Sequence, residues 1–198
     1  MAVRGAVGPL IVSLLLALGA GGCETRTVVL EKNQAAARHY PTVVVGDVTP
    51  RHPEWKRLVR LYKEGLAQGL RESEAFDRVL YPAPVTLPPD AIVVEGEIDS
   101  VDEGSELMRI LIGTDASRSF VQGQFRVVDG SDTVVAEFRQ ERVSNDSNFR
   151  EDQIYIEDLI GAFGRETAAV VIRWSRGKDL EPDGPAVEWW DGIVDTFD

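Results

Sequence analysis

The chain has 198 residues, 43% hydrophobic and 27% charged, the proportions of a globular protein and not of a disordered one. Asp and Glu (33) outnumber Lys and Arg (21), for a net charge of −12, which disfavours nucleic-acid binding in the absence of a basic run interleaved with aromatics. A single cysteine, Cys23, excludes an internal disulfide.

The first 22 residues read as an export address. Arg4 and the amino terminus form a short positive region, and Val7 to Leu18 form an apolar stretch of signal-peptide length. Ala20-Gly21-Gly22-Cys23 then places small residues before a cysteine, the pattern at which a lipoprotein signal peptidase cleaves. It departs from the usual form in carrying Ala20 where leucine is common. In an oxidising compartment a lone thiol needs a use, and acylation of Cys23 supplies one. The alternative is a retained anchor over Gly5–Gly22, but Gly5, Gly8, Gly19, Gly21, Gly22 and Pro9 make a poor spanning helix. Both readings place the domain outside the cytoplasm, and Glu24 after the cysteine favours the outer membrane. Removal of the leader takes away Arg4 and leaves the mature chain more acidic still.

Residues 23–40 are polar and alanine-bearing and read as a tether, with a short strand at Thr27–Leu30. Thr42–Val48 is a β-branched run bounded by Pro41 and Pro50, the composition of a buried strand. Pro53 suits the first position of a helix, and Trp55, Leu58, Tyr62, Leu66 and Leu70 recur as an apolar stripe. Gly65 and Gly69 lie beside the stripe and are expected to bring this helix close to a sheet. Tyr81–Asp90, with Pro82, Pro84, Pro88 and Pro89, is an extended connector. Ala91–Val101 alternates, with Ile92, Val94, Gly96 and Ile98 facing one way and Val93, Glu95, Glu97 and Asp99 the other. Phe120–Val128 and Thr133–Val143 read as strands joined by the turn Asp129-Gly130-Ser131-Asp132. Asp152–Arg176 reads as a second helix capped by Gly177. The expected fold is α+β, a mostly antiparallel sheet with two main helices on one face, over residues 41–180. Residues 181–198 form an acidic amphipathic tail.

The stretch Glu103–Gly113, with Gly104, Ser105, Arg109, Ile110-Leu111-Ile112 and Gly113, resembles domain-of-unknown-function family 4410. The strand and hairpin that follow it, and the Val43–Val48 strand with its helix, fit the same pattern over about residues 42–174. The resemblance implies an uncharacterised bacterial protein of a family in which many members are predicted lipoproteins. This chain carries Thr114, Asp115, Ala116 and Ser117 where relatives carry more glycine.

The chemistry-bearing residues support no reaction strongly. His39 and His52 are the only histidines, and with Cys23 acylated they fall short of the ligand count of a zinc site, so no metal and no cofactor are expected. No Gly-x-Ser-x-Gly elbow is present. Glu95, Glu97 and Asp99 share a strand face, with backbone neighbours about 6.5–7 Å apart, near the carboxylate spacing of glycoside hydrolysis; a solvated strand face is the plainer reading. Asp129-x-x-Asp132 and Asn145–Asn148 are explained by turn chemistry before calcium. Gly104–Gly113 lacks the phosphate-cradle form, and Arg109 is expected to pair with Glu106 or Asp115.

Two surfaces are candidates for contact. Lys56, Arg60 and Lys63 share a face of the first helix, with Arg51 and Arg57 nearby, and suit lipid headgroups, wall polymer or an acidic partner; an ordinary solvated face is the simpler account. In the tail, Trp189, Trp190, Ile193, Val194 and Phe197 form an apolar set too short to hold a helix alone, so they dock on the domain or on a partner. The expected function is therefore a membrane-anchored, non-catalytic binding, scaffold or assembly module of the cell envelope, facing the periplasm. Its partners are the membrane through the lipid, and an envelope protein, peptidoglycan or its own copies. A carboxylate-dependent glycan hydrolase and a carrier with an apolar pocket are the alternatives.

Overall fold

The computed structural model describes residues 24–33, 40–102, 119–144 and 156–178. Their elements, in chain order, are β1 (Glu24–Lys32), β2 (Thr42–Pro50), a single 3-10 turn (Pro53–Trp55), α1 (Lys56–Glu72), β3 (Arg78–Leu80), β4 (Ala91–Asp102), β5 (Phe120–Asp129), β6 (Val134–Val143) and α2 (Ile156–Ser175). The strands form one six-stranded sheet in the order β1-β6-β5-β4-β2-β3.

The sheet is mixed, which corrects the mostly antiparallel expectation. β1, β6, β5 and β4 pair antiparallel in succession, but β2 runs parallel to both β4 and β3. The physical cause is connectivity. A tight hairpin reverses the chain, as at residues 129–133, whereas a helical crossover restores its direction. α1 is such a crossover between β2 and β3. The proline-rich connector 81–90 then carries the chain to the other side of β2, where β4 starts in the same direction.

Within the stretch read as a tether, the short strand expected at Thr27–Leu30 is longer. Glu24–Lys32 is a nine-residue strand on β6, with Glu24 opposite Val143 and Lys32 opposite Ala136. Tyr40 belongs to the core: it is buried and its ring stacks on Trp174, with centroids 6.0 Å apart.

Both helices cover one face of the sheet. Phe125 of β5 sits at the centre, stacked on Tyr62 of α1 at 5.0 Å and tilted against Phe163 of α2 at 5.7 Å and Phe138 of β6 at 5.9 Å. These four fully buried rings occupy the middle of the space between the layers. Leu58, Tyr62, Leu66 and Leu70 of the predicted stripe are buried, and Trp55 is half-buried.

α1 and α2 lie against each other in the same chain direction. Arg57 meets Glu157 at one end (3.4 Å), and Gly69 faces Arg165 and Ala168 farther along. The glycines beside the α1 stripe serve this helix–helix contact, not an approach to the sheet. A Cβ on Gly65 would lie 2.1 Å from the Gly161 carbonyl, and one on Gly164 would lie 2.2 Å from the Tyr62 carbonyl. Gly177, two residues past the end of α2, has a φ of +66 that suits glycine. The Gly177 amide donates to Trp174 O (2.8 Å) and the Lys178 amide to Arg173 O (2.9 Å), which satisfies two terminal carbonyls in a Schellman motif.

Candidate functional site: the open face of the sheet and its two ends

The alternation in β4 assigns its residues to opposite faces. Ile92, Val94 and Ile98 enter the core, and Glu95 and Glu97 lie on the face that the helices leave open. There the register brings unlike side chains together. Glu95 is opposite Arg126, and the Arg126 Nε donates to Glu95 Oε1 at 2.6 Å. Gln124, opposite both Glu97 and Arg139, donates to Glu137 Oε1 at 2.5 Å and accepts from Arg139 Nη2 at 3.3 Å. Arg51, just past β2, donates from Nε to Glu97 Oε1 (3.3 Å) and from Nη2 to Asp99 Oδ1 (3.5 Å). The result is a ladder of cross-strand polar pairs.

Asp99 stands apart within this ladder. Its side chain is 13% exposed, against 44% for Glu97 and 60% for Arg51. Burial pushes its carboxyl above the usual carboxylate range; Arg51 and Arg139 pull it back in part, and Glu97 adds to the rise. Glu95, Glu97 and Asp99, singled out as possible hydrolytic carboxylates, are thus each in contact with an arginine.

A second polar group lies under α2, and the sequence reading missed it. Thr167 of α2 donates to Gln140 Oε1 (2.8 Å), and Gln140 Nε2 donates to Thr27 Oγ1 of β1 (3.1 Å). Beside them Glu166 accepts from Thr25 and pairs with Arg142, which also donates to Thr25 at 3.1 Å. Burial pushes the hydroxyl pKa of the neighbouring Tyr62 well above its ordinary value, and Thr167 offsets this in part. The signal was present: Gln140 and Arg142 continue the inward parity of Ala136 and Phe138, two polar residues where the core face should be apolar. The seam fixes β1 against β6 and α2 by specific polar contacts.

The basic cluster on α1 is divided among partners. Arg57 pairs with Glu157, Arg60 with Glu64 (3.8 Å), and the Lys63 ammonium lies 5.9 Å above the Tyr81 ring. Lys56 is exposed, and Arg51 turns to the open sheet face. His52 packs edge-on against Trp55 at 4.6 Å. In the β5–β6 turn, Asp129 Oδ1 accepts from the Ser131 amide and hydroxyl and the Thr133 amide, the turn chemistry expected for that sequence. The positive φ falls on Asp132 and not on Gly130, which instead faces the Pro89 carbonyl.

Cys23, His39, Gly104, Arg109, Gly113, Asn145–Asn148 and the tail residues Trp189, Trp190, Ile193, Val194 and Phe197 lie outside the described residues. Among the described residues no group of three His, Cys, Asp or Glu is placed to hold a metal, and no helix is long and apolar enough to cross a membrane.

A family model matches the chain over residues 47–145. The model is described as "Domain of unknown function (DUF4410)", and the chain belongs to that family. The match runs from within β2 to just past β6. Among solved structures, the chain is similar to the PelC dodecamer from Paraburkholderia phytofirmans, with 14% identity, 80% of this chain and 99% of that chain covered, and a TM-score of 0.47. It is also similar to a PDZ domain protein from Parabacteroides distasonis, with 10% identity, 77% and 35% of the two chains covered, and a TM-score of 0.37. No curated protein matches the chain.

Proposed function

We propose that this protein is a lipid-anchored envelope lipoprotein, acylated at Cys23, whose domain acts by binding and not by catalysis. It serves as a scaffold or assembly module on the periplasmic side of the membrane, the outer one in a two-membrane organism. The observation that carries the reading is the Ala20–Cys23 sequence, a sole cysteine placed behind an apolar export segment. The open sheet face supports the binding half. It offers a ladder of ion pairs that a partner of complementary charge pattern can engage, and such surfaces confer orientation and specificity more than raw affinity.

Crosslinking in intact cells, followed by purification through the chain, tests the binding half. The wild type is expected to give defined crosslinked species, and Arg126→Glu, which sets like charge against Glu95, is expected to weaken them without loss of folded protein. Recovery of monomer alone from the wild type under several growth conditions contradicts the proposal.

A further inference from the structure

The connector between β3 and β4 presents an uncharged surface beside the edge strand of the sheet. From Val79 to Pro89 the chain carries no charged side chain. Every residue from Pro82 to Leu87 is exposed, Val85 completely so. Contiguous exposed apolar surface of this kind marks a contact site. Cations border it. Lys63 lies over the Tyr81 ring where the connector starts, and Arg60 and Arg78 are 66% and 56% exposed. Their acidic neighbours, Glu64 and Asp90, stand 3.8 Å away in solvent, where such pairs contribute little and exchange readily.

We propose that residues 186–198 of this same chain dock on that loop. Residues 179–198 contain seven Asp and Glu and no Lys, Arg or His, interleaved with Trp189, Trp190 and Phe197. The match is twofold. Indole rings pack on exposed proline rings, the contact by which aromatic-lined grooves take proline-rich segments, and the fixed φ of proline keeps the ordering cost low. The carboxylates meet Arg60, Lys63 and Arg78. The open sheet face offers no such seat, because Glu95, Glu97 and Glu137 stand among its arginines. The chain also sets out from the right end of the molecule. Trp174, four residues before Lys178, stacks on Tyr40, and Thr42 lies between Arg78 of β3 and Ala91, where the connector ends. With strands roughly 4.8 Å apart and about 3.3 Å per residue, Trp174 stands within about 25 Å of the loop's base. Ten residues separate Lys178 from Trp189, a reach of up to about 35 Å. Covalent tethering raises the effective concentration, so modest contacts suffice. The inference goes beyond the proposed function and holds with or without a lipid on Cys23.

The test places a photoreactive benzophenone amino acid at position 85 of the full-length protein, where full exposure leaves the fold undisturbed. Irradiation is expected to give chiefly a product that migrates as monomer. Trypsin releases residues 179–198 as one peptide, and mass spectrometry is expected to find it joined to position 85. Replacing both tail indoles, Trp189→Ala with Trp190→Ala, is expected to cut the yield several-fold at unchanged melting temperature. Lys63→Glu with Arg78→Glu is expected to do the same; if these charge reversals lower the melting temperature, the tail pair alone decides. A link to a second copy, to another protein or to lipid, no link at all, or a yield that the tail substitutions leave unchanged overturns the inference. An unacylated Cys23 overturns only the lipoprotein reading, so the two failures are distinguishable.

Discussion

Gly161 and Gly164 are three residues apart on α2, yet their surroundings differ sharply. A Cβ on Gly164 would collide with the Tyr62 carbonyl at 2.2 Å and the Leu66 amide nitrogen at 2.7 Å, both backbone. One on Gly161 would meet only the Arg165 guanidinium at 3.9 Å. Gly164→Ala is therefore expected to push the helices apart and to destabilise the protein by about 1–3 kcal/mol or more. Gly161→Ala is expected to be neutral, or to stabilise by up to ~1 kcal/mol through helix propensity. Urea unfolding of the two variants checks the contrast, and equal effects contradict the packing described. Asp99 gives a second test. Its folded pKa is raised, so the native state binds the proton more tightly than the unfolded chain, and stability falls as pH rises from the unfolded value through the folded one. Asp99→Asn removes that dependence. The stability of the wild type relative to Asp99→Asn is expected to decline from about pH 4 toward neutrality, as followed by denaturant titration across pH. At this scale the outward parity of Glu95 and Glu97 was legible in the alternation of β4. Their partners were not, because Arg126 and Arg51 arrive from other strands through a register that the β4 pattern does not contain.

The elements were legible where periodicity was strong. The α1 stripe, the alternation of β4 and the Asp129–Asp132 turn each follow from local rules. The direction of β2 does not, since whether a strand returns parallel or antiparallel depends on the path between strands and not on its residues. β1 was underread because its sequence, Glu24–Lys32, is mostly polar, as suits an edge strand half in solvent. Its place is fixed by the seam under α2, which yields two predictions. Thr167→Val keeps the shape but leaves Gln140 Oε1 without its buried donor, at an expected cost of about 1–3 kcal/mol by chemical denaturation. Glu166→Ala removes the acceptor shared by Thr25 and Arg142 and is expected to speed amide exchange across residues 25–32, with little change in α1. Uniform acceleration over the whole domain would mean that β1 is not a separately held unit.

For the molecule as a whole, the export address and the position of β1 give one physical picture. Under the proposed function a charged, folded module is held at a bilayer by a lipid on Cys23; of the α1 cations, Arg57 pairs with Glu157, Arg60 with Glu64, and Lys63 lies over the Tyr81 ring. That a strand runs from Glu24 to Lys32 was only partly legible, because a polar edge strand and a loose tether have similar compositions. The most direct test is mass spectrometry of the amino-terminal peptide of the protein extracted from its native membranes. The expected species begins at Cys23, lacks residues 1–22 and carries a thioether-linked diacylglyceryl group on sulfur. A peptide retaining the leader, or one bearing an unmodified Cys23 thiol, contradicts the account.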